Sequence, residues 1–140
     1  MIEEKKDMIA VWMGTSHKTI DEFNEYTEGL EDPDSNCPAF KDFGINFIDT
    51  DWFAAYGTVN HEIIPVEDLV KEVGTNSKKT NEQIVKAAKE KGITEGNSLY
   101  YYCLAVFHET DPNKKYNDLT FIGNFYDPYK PVKRNKMTKK

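Results

Sequence analysis

The chain has 140 residues, of which 39% are hydrophobic and 30% are charged, and its formal net charge is −6. This size and composition predict a single compact domain that needs no disulfide or metal to stabilise its core, and the acidic balance argues against direct binding of nucleic acid. The two cysteines fit neither a disulfide framework nor a metal-binding spacing, and no segment resembles a signal peptide or a membrane span. We therefore expect a cytoplasmic protein that binds no cofactor and no membrane.

The charge is distributed unevenly along the chain. Residues 1–75 carry 17 acidic and 5 basic side chains, whereas residues 76–140 carry 7 acidic and 13 basic ones. Residues 21–34, DEFNEYTEGLEDPD, contain seven carboxylates and neither Lys nor Arg. Such a segment is either the solvated face of a helix or a surface that attracts a basic partner through long-range electrostatics.

The first half of the chain predicts a strand, an acidic helix and a second strand. Residues 8–13, MIAVWM, predict a buried strand. Residues 19–22 have the capping-box spacing, and the apolar residues that follow at helical intervals predict a helix that ends at Gly29. Residues 43–49, FGINFID, alternate with period two and predict a strand with one buried face. The aromatic segment 52–59 fits either a helix or a strand.

Two further helices are predicted in the middle of the chain. Pro65 can occupy the first position of a short helix, VEDLVKEV, which Gly74 can close. Thr80 and Gln83 have the capping-box spacing at the start of a helix over residues 81–91, which carries an apolar stripe.

The second half of the chain predicts the core of the sheet. Residues 99–107, LYYYCLAVF, are apolar on both alternating sets and predict a central strand, with residues 119–127 as its hairpin partner. Residues 128–140 carry six basic and no acidic side chains and predict a flexible tail. We therefore expect an α+β domain over residues 1–127, with a mixed or antiparallel sheet of four to five strands packed against two to four helices.

Aromatic residues of the chain could in principle form a stacking platform for nucleic acid bases. The successive tyrosines 100–102 lack the Lys and Arg residues that accompany such platforms, so we predict that they pack in the core with their hydroxyls at its rim. Trp12 and Trp52 are also predicted to be core residues.

Little in the sequence predicts catalysis. The histidines, His17, His61 and His108, lie in separate segments, without a second ligand at a metal-binding spacing. Asp49 and Asp51 could hold a hard cation or serve as acid and base, although two carboxylates are fewer ligands than a calcium site uses. The enzyme or ligand-binding alternative is therefore a small metal- or ligand-binding domain or hydrolase with a pocket near Asp49, Asp51 and His61.

Three motifs follow one another in a distinctive order along the chain. The first is V-W-x-G, formed by Val11, Trp12 and Gly14. The second is D-F-G-I with trailing acids, formed by Asp42, Phe43, Gly44, Ile45, Asp49 and Asp51. The third is F-I-G-x-F, residues 121–125. Over roughly residues 8–126, this order resembles the immunity protein 22 family of small bacterial domains, encoded beside the toxin genes of polymorphic toxin systems.

The resemblance implies a non-enzymatic function, the binding and neutralisation of a cognate protein toxin, often a nuclease. It implies a scaffold role for Trp12, Gly14, Phe43 and Gly44. Nuclease toxins bind phosphate with Lys and Arg, so an inhibitor can present carboxylates to the same basic surface. We expect the partner-facing residues to be Glu22, Glu25, Tyr26, Glu28, Glu31, Asp32, Asp34, Asp49 and Asp51, with Tyr26 as an aromatic anchor. A general adaptor for another basic partner would show the same pattern.

Overall fold

A computed structural model describes residues 1–129, and its centre is an antiparallel five-stranded sheet. The strands of this sheet, in spatial order, are β2 (Phe53–Gly57), β5 (Ser98–Phe107), β1 (Ile2–Gly14), β7 (Leu119–Tyr126) and β6 (Lys115–Tyr116). A separate two-stranded sheet consists of β3 (Ile64–Pro65) and β4 (Glu95–Gly96). The predicted fold class, an α+β domain, is confirmed.

The helices lie between the strands and are short apart from the last. They are α1 (Ile20–Glu25), α2 (Pro38–Phe43), α3 (Val66–Leu69) and α4 (Lys78–Glu90), and 3-10 turns cover Val59–His61 and Val70–Glu72. Within residues 1–129, no helix is long and apolar enough to cross a membrane. Residues 130–140 lie outside the described part of the chain, so the flexible basic tail stays a prediction.

Strand β1 occupies the middle of the sheet because the side chains of its residues 8–13 are apolar on both faces. Ile9, Val11 and Met13 are buried in one cluster, whereas Ala10 and Trp12 are buried in the other. The neighbours of β1 are β5 on one side and β7 on the other, so the prediction that β7 is the hairpin partner of β5 is wrong. Strand β1 pairs with the edge of β5 that β7 would occupy in the predicted hairpin.

Helices cover both faces of the sheet, and the sheet divides the core into two buried clusters. On one face, Phe23 of α1 and Phe43 of α2 belong to the same buried cluster as Trp12, and the Trp12 and Phe43 rings lie 4.9 Å apart. On the other face, Leu69 of α3 and Ile84 of α4 pack with the opposite side of β1. This burial of both faces explains why residues 8–13 of β1 and most of β5 are nearly continuous apolar runs.

The strand predicted over residues 43–49 is not formed. Pro38 lies at the start of α2, and Gly44 caps the end of that helix in the left-handed region, with φ of 68°. An irregular loop follows, in which Ile48 is buried while Phe47 is 43% exposed. The first two residues of the predicted strand, Phe43 and Gly44, belong to the end of α2 instead. Proline at the start of a helix and glycine after its end are strong helix signals, and here they outweigh the alternation of apolar residues.

Other local predictions are resolved by the structure. The ambiguous residues 52–59 form strand β2, and a short helix does follow Pro65. The helix predicted over residues 81–91 is confirmed as α4, but it begins earlier, because Ser77 is its N-cap and accepts a hydrogen bond from the Thr80 amide at 3.1 Å. The predicted capping box at Thr80 is therefore wrong.

Candidate functional site

The acidic helix α1 begins with the predicted capping box. The Glu22 amide donates to Thr19 Oγ1 at 3.1 Å, and the Thr19 amide donates to Glu22 Oε1 at 2.9 Å. The helix is shorter than predicted, since irregular turns replace it after Glu25. Phe23 is buried with its ring stacked 5.4 Å from that of Tyr100, and this contact determines which side of α1 faces solvent.

The carboxylates predicted to face a partner are exposed, apart from Asp49, which is half-buried. We refer to the following residues as the acidic surface: Glu22, Glu25, Glu28, Glu31, Asp32, Asp34, Asp49 and Asp51. Buried Phe23 and Leu30 anchor the segment at both ends, so its charged side chains point away from the core.

The second part of the acidic surface is a tight turn that leads into β2. Asp49 Oδ1 accepts a hydrogen bond from the Asp51 amide at 2.9 Å, and the Asp49 carbonyl accepts one from the Trp52 amide at 3.1 Å. The Asp49 amide donates to the Tyr102 hydroxyl at 3.1 Å, which ties the turn to β5. These bonds fix the backbone of both carboxylates before any partner arrives.

The turn and the acidic segment after α1 are joined directly. Glu31 Oε2 accepts hydrogen bonds from the Thr50 amide at 2.9 Å and from the Thr50 hydroxyl at 2.8 Å. The Ile48 amide also donates to the Leu30 carbonyl at 2.8 Å. The structure thus brings Glu31 together with the turn that carries Asp49 and Asp51, although these residues are distant in sequence.

Glu22 lies in different surroundings from the rest of the acidic surface. It lines an open depression of about 630 Å³ together with Lys18, Lys115 and Asp118. The Thr19 amide and hydroxyl hold the pKa of the Glu22 carboxyl below its ordinary value. Charges of both signs meet in this depression. Glu22 is therefore in a different electrostatic environment from the hydrogen-bonded pair of Glu31 and Thr50.

Positive charges do not neutralise the acidic surface. Within residues 1–129, the ion pairs involve other carboxylates, and none of the acidic-surface residues takes part in one. Elsewhere, for example, Lys114 pairs with Asp42 at 2.7 Å and Lys18 with Asp118 at 3.8 Å. Apart from Glu22, which lies near Lys18 and Lys115, the acidic surface is therefore left without a paired cation among the described residues.

Tyr26, the predicted aromatic anchor, is half-buried and packs toward the core. Its ring stacks 6.0 Å from that of Tyr100, and its hydroxyl donates to Asp42 Oδ2 at 2.6 Å. Burial and the neighbouring Asp42 carboxylate raise the pKa of Tyr26 far above its ordinary value. The hydroxyl is thus committed inside the protein, and only part of the ring is exposed to a partner.

Three of the four residues expected to act as scaffold are buried, and the fourth, Gly44, is exposed at the end of α2. Trp12 and Phe43 are completely buried. At Gly14, a Cβ atom would lie 3.1 Å from the Asp118 carbonyl oxygen and 3.2 Å from Leu119 Cα, so β1 and β7 can approach only because a side chain is missing. Gly44, as described above, ends α2 with a positive φ that strains other residues.

The structure separates Asp49 and Asp51 from His61, the residues near which a pocket was predicted. Asp49 and Asp51 precede β2 and His61 follows it, so the length of the strand, about 13 Å, separates them. His61 lines a cavity of about 160 Å³ together with Ser16 and Lys18, and neither aspartate is part of that lining. Within residues 1–129, no three His, Cys, Asp or Glu side chains are grouped so that they could share a metal ion.

Trp52 is the main difference between the predicted and observed environment of the site. It was predicted to be a core residue, but it is 48% exposed, directly after the turn of Asp49 and Asp51. Leu104, which belongs to the apolar run of β5, is 40% exposed beside it. The acidic residues before Trp52 were the only feature of the sequence that could have indicated its exposure. No feature of the sequence around Leu104 indicated that its side chain would be exposed.

Comparison with known proteins supports the resemblance found in the sequence. A family model described as Immunity protein 22 matches residues 9–127. No curated protein and no solved structure matches the chain. The matched range covers the three sequence motifs and the whole acidic surface.

Proposed function

Because the chain belongs to the immunity protein 22 family, we propose that it neutralises a cognate bacterial toxin by binding it through the acidic surface. Family membership supports an immunity role and, with it, binding to a toxin partner. We further propose that the protein acts in the cytoplasm as a stoichiometric inhibitor within a polymorphic toxin system, and that it catalyses no reaction.

The observation that carries this proposal is the set of carboxylates without basic partners. Residues 1–129 contain 24 acidic and 12 basic side chains. The lysines that form ion pairs within this range, Lys18, Lys71, Lys89 and Lys114, pair with acids outside the acidic surface. Neighbouring carboxylates repel one another in the free protein, and a cationic partner relieves that repulsion. A basic protein surface is therefore the partner that best fits the acidic surface.

A nuclease is the class of toxin that we propose. Nucleases bind the phosphate backbone with Lys and Arg, and a row of carboxylates can occupy the same cationic groups. Opposite charges also accelerate association, which benefits an inhibitor that must capture a lethal enzyme before it reaches its substrate. In this proposal half-buried Tyr26 contributes the exposed part of its side chain, and the remaining contacts come from the acidic surface.

The proposal is tested by expression of the toxin domain encoded beside this gene in a sensitive bacterial host. Co-expression of the wild-type protein should restore growth, and the two polypeptides should co-purify as a stable complex that high salt weakens. Growth arrest that persists despite soluble, folded protein would contradict the proposed function. Rescue without loss of complex at high salt would retain the immunity role but reject the acidic surface.

A further inference from the structure

An exposed apolar surface lies next to the turn of Asp49 and Asp51. Trp52, Leu104 and Tyr129 are 48%, 40% and 73% exposed, respectively. Together with other residues, including Met8 and Cys103, they line a depression of about 230 Å³. We refer to Trp52, Leu104 and Tyr129 as the Trp52 surface. An exposed tryptophan that shares a depression with other exposed apolar residues is typical of an interaction site.

An irregularity in the pairing of β1 and β5 holds Leu104 outward. Glu4 pairs with Ala105 and Ile9 pairs with Cys103, so residues 5–8 of β1 lie opposite Leu104 alone. Leu104 has φ of 59°, in the left-handed region that leucine rarely adopts.

Contacts on both sides maintain this conformation. The Cys103 amide donates to the Trp52 carbonyl at 2.9 Å, and the Asp127 amide donates to the Asp7 carbonyl at 2.7 Å across the bulge. Asp7, within the bulge, also has a positive φ of 66°. The fold therefore maintains a strained backbone conformation that exposes an apolar side chain. Strained backbone conformations are concentrated at functional sites.

The turn directly before Trp52 carries two carboxylates, those of Asp49 and Asp51. The Trp52 amide is bonded to the Asp49 carbonyl, the Asp51 amide is bonded to the Asp49 side chain, and Glu31 holds Thr50 between them. Lys5 and Lys6 are the basic residues of the adjoining bulge. An indole face beside carboxylates is complementary to a guanidinium group, which stacks on the ring and pairs with carboxylate oxygens through its N–H groups.

We infer that Trp52 and Leu104 form the apolar anchor of the toxin interface and that an arginine of the basic partner stacks on the Trp52 indole while pairing with the turn carboxylates. The inference rests on the proposed function and adds to it the anchor residues and the partner's chemistry. A central tryptophan with charged residues at its rim is the usual composition of an interface hot spot. Trp52 supplies the contact area that half-buried Tyr26 does not.

The affinity of single variants for the toxin domain encoded beside this gene tests the inference. Trp52→Ala and Leu104→Ala should each weaken binding at least about 10-fold, and Trp52→Ala should weaken it about 30-fold or more. Val59→Ala is the matched control, because Val59 is 78% exposed but lies at the far end of β2, and it should change the affinity less than about twofold.

The possible results separate this inference from the proposed function. If the wild-type protein does not bind the toxin, the proposed function fails and the inference fails with it. If the wild type binds and both Trp52→Ala and Leu104→Ala remain within the range of the control, the inference fails and the proposed function stands.

Fluorine NMR would identify which molecule or segment binds to the Trp52 surface. The chain has two tryptophans, so protein labelled with 5-fluorotryptophan gives one signal from buried Trp12 and one from exposed Trp52, which Trp52→Phe assigns. Unlabelled toxin should shift the Trp52 signal and leave the Trp12 signal in place. A shift on deletion of residues 130–140 without toxin, or a shift that depends on protein concentration alone, would assign the surface to the chain's own tail or to a second copy and overturn the inference.

Discussion

Glu31 and Thr50 are linked by two hydrogen bonds, in which one carboxylate oxygen of Glu31 accepts both the amide and the hydroxyl of Thr50. This link connects the segment after α1 to the turn before β2. The part of the acidic surface around Glu31 consequently lies next to the turn that leads to the exposed Trp52. The link also predicts a measurable dependence on pH.

The pKa of the Glu31 carboxyl should lie below 4.5, because the Thr50 amide and then its hydroxyl stabilise the charged form. A lowered folded-state pKa means that the link stabilises the fold above pH 4.5 and is lost as the pH falls through the lower value. Carbon-detected NMR titration of the Glu31 side chain measures its midpoint. Thr50→Val removes the hydroxyl but keeps the amide, so it should raise the midpoint part of the way. A wild-type midpoint at or above 4.5 would contradict the link.

Charge reversal at Glu25 and Glu28 should slow association with the toxin roughly tenfold at low salt and reduce the salt dependence of the rate, because both residues are exposed and belong to the acidic surface. Stopped-flow kinetics over a range of salt concentrations measures both effects. The matched control reverses Glu82 and Glu90, which are exposed on α4. Equal losses in the two double variants would show that total charge, and not the acidic surface, governs association.

Substitutions at Trp12 should separate two contributions to the free energy of unfolding, the packing of the indole ring and the cost of burying its unpaired N–H group. Trp12 is fully buried, and its Nε1 has no hydrogen-bond partner within the described residues. Trp12→Ala should lower the free energy of unfolding by about 3–5 kcal/mol through the cavity that it leaves. Trp12→Phe should cost about 1–2 kcal/mol, because loss of the unpaired N–H offsets part of the lost packing. Urea unfolding measures both values, and an equal cost for the two variants would contradict this account.

Leu104→Gly should raise the free energy of unfolding by about 1 kcal/mol, because glycine adopts a positive φ without strain. The same variant should weaken toxin binding, since it removes the exposed side chain. Leu104→Ala is the control for stability, as it keeps the strained backbone and should not stabilise the protein. Thermal unfolding of the three proteins decides the point. A destabilised Leu104→Gly would show that the leucine side chain contributes more to the fold than its backbone costs.

Local structure was predictable wherever a short stretch of sequence controls it. The capping box of Thr19 and Glu22 is present in the structure because it requires only neighbouring groups. The apolar run of β5 predicted a central strand, and that of residues 8–13 predicted a buried strand, because only a strand that is covered on both faces can bury such sequences. The sequence motifs also identified the family, over almost the same residues that the family model matches.

The amino-acid sequence was sufficient to predict the α+β class, the buried strands and a block of carboxylates without basic neighbours, since periodicity, capping and charge are properties of adjacent residues. Tertiary structure alone decided that β1 separates β5 from β7, because strand order depends on which edges meet after the chain has folded. It also decided that Glu31 meets Thr50 and that Trp52 and Leu104 face solvent. These contacts join residues far apart in sequence, and the bulge that exposes Leu104 arises only when β1 and β5 pair.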